Sequence, residues 1–139
     1  MANNLADIEI KCKNVSAELQ GIVAWKWDDR FKVPLSEFMK DNADKVQPVL
    51  AKHLGNCWEI NTIKQAPKIT RRLADALYGM KEFQLLYTTS AEEEVMLFAA
   101  WWPWGDGKTI SLRIGAIPTV GISIPNIDTQ IQGWFGIKK

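Results

Sequence analysis

The chain has 139 residues, 47% of them apolar and 24% charged, and carries a formal net charge of +1. That balance excludes a disordered or low-complexity class and gives no general electrostatic grip on nucleic acid. The length suits a single core, so one α+β domain over residues 1–139 is expected.

The opening Met1-Ala-Asn-Asn-Leu-Ala-Asp7 has no basic stretch leading into an apolar segment. No secretory signal is read, and a cytoplasmic location is the expectation, although a leaderless exported protein reads the same way. The most apolar stretch, residues 95–104, is ten residues long, where a membrane helix needs about twenty. Cys12 and Cys57 are the only cysteines and do not suggest a disulfide scaffold.

Residues 5–13 alternate, with Ile8, Ile10 and Cys12 against Glu9, Lys11 and Lys13, which predicts a half-solvated strand with Cys12 buried. Residues 16–27 read as a short helix or turn leading into a strand around Val23, Trp25 and Trp27, broken at Asp28-Asp29-Arg30. Residues 34–54 read as two helical pieces, one with Leu35, Phe38 and Met39 and one with Val46, Val49, Leu50, His53 and Leu54. Asp44 is the expected cap of the second piece, with Pro48 tolerated near its start and Gly55-Asn56 ending it.

A strand follows over residues 57–63, then a helix capped by Thr70 and carrying Leu73, Ala76, Leu77 and Met80. Residues 82–89, 95–102 and 108–114 read as strands, with Gly105-Asp106-Gly107 turning between the last two. Val120, Ile122 and Ile124 suggest one more short strand, and Asn126 caps a closing amphipathic helix through Phe135, with a strand as the alternative there. The element order predicts an antiparallel or mixed sheet of five to six strands with helices packed on one face.

The strongest functional signal is Trp101-Trp102-Pro103-Trp104 at the mouth of this hairpin. In an extended segment Trp101 and Trp102 face opposite sides, so one is expected in the core and the other toward solvent or a partner. Trp101, Trp102 and Trp104 are the candidate contact residues, with Asp106 on the rim and the uncharged run over residues 114–127 as adjoining apolar surface. Trp25, Trp27 and Trp58 are a second candidate aromatic wall, weighed against plain core packing.

Arg71 and Arg72, with Lys64 and Lys68, enter the helix near Thr70 and form a weaker candidate anion site, set against a solvated helix face. His53, Cys57 and Glu59 carry metal-ligand chemistry without a fourth partner, so neither a metal nor a catalytic set is assigned. The acidic run Glu92-Glu93-Glu94 reads as a solvated turn. No phosphate loop, HExxH, GxSxG or paired CxxC is present, and no cofactor is expected.

The function expected from these residues is a non-enzymatic protein-binding or self-assembly module using the aromatic hairpin. Its partner is a second copy or another protein, a small apolar ligand or membrane surface is the alternative, and nucleic acid is disfavoured. An enzyme would require Glu59, Tyr78, Tyr87 or Asp106 to converge in an aromatic pocket.

Overall fold

In the computed structural model, which describes residues 5–121 and 124–137, the segment expected as a first strand is a helix, α1 (Leu5–Glu18). The alternation of Ile8, Ile10 and Cys12 covers five residues, whereas Ile8, Cys12, Val15 and Leu19 recur at helical spacing over twelve. All four of those are fully buried, and Ile10 is left 57% exposed. The longer periodicity wins because it buries more apolar surface on one face. Cys12 is buried as expected, on a helix, and burial pushes its thiol up to about 12.

After a turn come β1 (Lys26–Asp28) and β2 (Val33–Met39). The helix expected around Leu35, Phe38 and Met39 is therefore a strand. Pro34 disfavours helical backbone at Val33, and β2 runs between two antiparallel neighbours, with Leu35 paired to Lys26 on one side and Arg113 on the other. The strand buries Phe38 while turning Met39 to solvent.

Helix α2 (Ala43–Leu54) follows a one-turn 3-10 helix at Lys40–Asn42 and buries Val46, Leu50 and Leu54. Its N-cap is Asn42, without a side-chain bond, so Asp44 belongs to the first turn and acts on the helix dipole instead of capping. Pro48 lies beyond the first turn and removes one intrahelical bond. Gly55, at φ +93°, closes the helix by donating to the Ala51 carbonyl.

The strand expected over residues 57–63 is only β3 (Asn56–Trp58). Helix α3 (Lys68–Ala76) starts after Pro67, so Thr70 is inside it; its buried hydroxyl donates to Met96 Sδ at 3.8 Å and caps nothing. Strands β4 (Leu85–Thr88), β5 (Val95–Pro103) and β6 (Thr109–Pro118) lie where strands were expected. Helix α4 (Ile127–Trp134) follows Asn126, which takes a left-handed conformation without a capping bond. The further strand expected at Val120, Ile122 and Ile124 includes Ile122, which lies outside the described residues, and Val120 is in a bend.

The fold is α+β, with a six-stranded sheet in the order β1-β2-β6-β5-β4-β3 and every neighbouring pair antiparallel. Alternate residues of β5 feed two apolar layers. Val95, Leu97, Ala99 and Trp101 join α1, α2 and α4 on one face; Met96, Phe98 and Ala100 join α3 on the other. The expected one-sided helix layer thus holds for α1, α2 and α4, while the short α3 covers part of the opposite face.

Gly115 lies opposite Phe98, and a Cβ there would meet the Phe98 ring at 2.6 Å and Val33 at 2.8 Å. The missing side chain is the space the ring occupies.

Candidate functional site

The clustered Trp residues separate as strand geometry requires. Trp101 is buried under the helices, its ring 5.6 Å edge-on to Phe38. Trp102 points to the opposite face, 5.6 Å from Phe31, with the Arg113 guanidinium 4.5 Å from its ring centre. Trp104 lies just past β5 and is 45% exposed.

Trp102 ends a continuous stack. Arg113 also lies over Phe31, which meets Tyr78 edge-on, and Arg30 lies over both Phe31 and Tyr78. Asp28 anchors it, accepting from Arg113 Nε at 2.5 Å and from the Arg30 amide at 2.9 Å. Burial raises the Asp28 carboxyl, but those hydrogen bonds and the guanidinium charge outweigh it and hold the group below its ordinary range. The stack pins the β1–β2 turn and the chain after α3 to the sheet.

The hairpin end takes another course. Trp104 donates its amide to the Thr109 carbonyl at 2.8 Å. Amides alternate sides along an antiparallel strand, so the nitrogen of Pro103 faces away from β6, toward β4. Proline has no hydrogen to offer there. Leu85 pairs with Trp101, and extending that register would set Phe83 opposite Pro103. Phe83 instead adopts φ +71° and leaves the ladder. Its turn closes on itself, with Gln84 donating to the Lys81 carbonyl and the Lys81 amide donating to Gln84 Oε1 at 2.9 Å.

A cleft of about 890 Å³ opens where β4 stops short of β5. The hairpin end forms one wall, residues 59–61 and 82–85 another, and the start of α2 closes it near Ala43 and Gln47. Three large apolar side chains on its walls are solvent-exposed: Phe83 at 77%, Trp104 at 45% and Ile60 at 40%. Trp101 and Ile110 reach it from the core.

Asp106 lies at the hairpin tip and its carboxylate is engaged locally. Oδ1 accepts from the amides of Lys108 and Thr109, and Oδ2 from the Thr109 hydroxyl at 2.9 Å. The Lys108 amide first, then the Thr109 bonds, hold this carboxyl below its usual range. Arg71 turns its Nε back to the Ala66 carbonyl at 3.1 Å, while Arg72 is exposed on α3.

The remaining candidates do not come together. Trp25 and Trp27 pack on the helix-covered face and Trp58 on the other, so they form no common wall. Trp25 meets Phe135, and Trp58 donates to Thr88 Oγ1 at 3.1 Å. His53 is bound to Glu18, which also accepts from Lys52 at 2.6 Å; Lys52 and then His53 hold the Glu18 carboxyl low. Cys57 is exposed on β3, its thiol pushed up by burial of its surroundings, and Tyr87 beside it is raised to about 12, chiefly by burial. Among the described residues no group of His, Cys, Asp and Glu is arranged to hold a metal. Of Glu59, Tyr78, Tyr87 and Asp106, only Glu59 lines the cleft. The uncharged run also fails to form one open surface: Ile114 is fully buried, and Ile124 and Ile127 pack against the helix-side core.

Phe83 and Ile60 were not singled out by sequence as contact residues. The available signal was their setting, each an isolated large apolar residue beside a Glu in a segment between regular elements. No family model, curated protein or solved structure matches this chain.

Proposed function

We propose that this protein is a binding module whose working surface is the cleft between the hairpin end and the turn at residues 81–84, and that it receives an apolar side chain from a segment of another protein. The observation that carries the reading is the placement of Phe83, Trp104 and Ile60, all exposed, around one cleft. Large apolar side chains gathered around a concavity are the usual anchor of an interface, because closing over them removes much apolar surface from water. Neither Phe83 nor Trp104 makes a ring or guanidinium contact among the described residues. Their faces are available to a partner. The edge itself favours side-chain recognition over strand addition, since Pro103 presents no donor along it.

The test is selection of short random displayed peptides on the immobilised native chain and on a Phe83→Asn/Trp104→Ala double variant, with light scattering of both at several concentrations. Asn tolerates the backbone conformation of residue 83, so the variant is expected to fold, as circular dichroism would verify. Peptides retained at least about tenfold better by the native chain are expected. Equal retention overturns the reading. A native oligomer that becomes a folded monomer in the variant would assign the surface to a second copy and overturn the separate-partner form.

A further inference from the structure

The chemistry of the segment that fits this cleft is written in the charges on its walls, and the inference rests on the binding role proposed above. Glu59 precedes Ile60 and Glu82 precedes Phe83, and all four residues line the cleft. Both carboxylates are exposed, and neither forms an ion pair among the described residues. Each exposed apolar side chain on that wall therefore has a carboxylate outside any ion pair beside it.

The hairpin side differs. Trp104, Gly105 and Gly107 contribute no charge, and Lys40 is held against this end by its amide, which donates to the Lys108 carbonyl at 2.7 Å. The charged residues that line the cleft are thus Glu59 and Glu82 on one wall and Lys40 beside the hairpin end. An anchor lodged between Phe83, Ile60 and Trp104 would place its flanking residues near Glu59 and Glu82, where a cation is attracted and an anion repelled. The exposed Trp104 ring adds a face that a Lys or Arg can cover.

We infer that the cleft selects a peptide segment with an aromatic or aliphatic anchor flanked by Lys or Arg. Rim charges of this kind act mainly on discrimination and association rate, and their effect is screened by salt. The anchor supplies attachment and the carboxylates choose among anchors.

Two synthetic peptide pools with the same randomised apolar centre, one flanked by Lys and one by Glu, separate this inference from the role on which it rests. Retention is measured on the native chain, on Glu59→Gln/Glu82→Gln, and on Phe83→Asn/Trp104→Ala, at low and high salt. The Lys-flanked pool is expected to be held about tenfold better at low salt by the native chain, with the preference mostly lost in the Gln variant and at high salt. Equal retention of both pools that still requires Phe83 and Trp104 overturns the charge selection and leaves the binding role standing. Retention of neither pool above the Phe83→Asn/Trp104→Ala background overturns both.

Discussion

Trp102 and Trp104 are two residues apart, yet they belong to opposite kinds of surface. Trp102 is enclosed in the stack with Arg113, Phe31, Arg30 and Tyr78, while Trp104 stands at the cleft with no ring or guanidinium contact among the described residues. Exposure alone does not separate them in kind, because Tyr78 in the stack is 64% exposed, more than Trp104. What separates them is whether the ring face is already occupied. Arg30 covers Tyr78 at 4.7 Å from the ring centre, so that aromatic serves the fold. The cleft residues have folded without such a cover, and their apolar faces meet solvent.

The sharpest way to break this contrast is to truncate each Trp. Trp102→Ala should cost about 2–4 kcal/mol, toward the range for large-to-small core changes, because Phe31 and Arg113 lose their packing partner. Trp104→Ala should change stability by less than about 1 kcal/mol while abolishing peptide retention. Urea unfolding of both variants measures the difference. Equal losses would place Trp104 in the fold and remove it from the surface.

A smaller effect is expected at the anchor of the stack. Arg113→Ala should cost about 2 kcal/mol, since it leaves the largely buried Asp28 carboxylate without its main hydrogen-bond donor. The pH dependence follows from the lowered Asp28 group. The unfolded chain takes up the proton near 3.8 and the folded chain only at lower pH, so the contribution is present above 3.8 and lost as pH falls below it. Acid unfolding of Asp28→Asn should show a shallower loss of stability in that range than the native chain.

The smallest effect has the opposite sign. Phe83 holds a left-handed backbone that costs a non-glycine residue about 1 kcal/mol. Phe83→Gly should therefore leave thermal stability unchanged or raise it by up to about 1 kcal/mol, while peptide retention falls. A destabilised Phe83→Gly chain would mean the ring packs for the fold, and the contrast with Tyr78 would fail.

The parts of the fold legible in sequence were those with one dominant period. Val46, Leu50 and Leu54 announced α2, and Ile110, Leu112 and Ile114 announced β6. Two segments misled because a short pattern masked a longer constraint. In α1 the alternating residues were a subset of a helical stripe extending to Leu19, and in β2 a helical triplet concealed a strand set by pairing on both edges. One of the two sheet partners of β2, β6, is distant in sequence, so no local period reports it.

The cleft was legible in part for the same reason. Trp101, Trp102 and Trp104 drew notice by composition, and their alternation correctly separates the first two across the sheet. Phe83 joins Trp104 only through the register that sets it opposite Pro103, a relation that depends on how β4 meets β5. Asp106 was visible as part of a Gly-Asp-Gly turn, but its three bonds to Lys108 and Thr109 required coordinates.

Gly115 bears on how this sheet avoids assembling incorrectly. Sliding β6 by two residues along β5 preserves which side chains face each layer, so hydrophobic patterning alone does not forbid it. Such a slip would bring Arg113 or Ile117 to the position opposite Phe98 that Gly115 occupies. With a bare Cβ already at 2.6 Å from the ring, either side chain collides with it. The absent methyl works as a keyway: it admits the Phe98 ring at one setting of the hairpin and rejects its nearest neighbours.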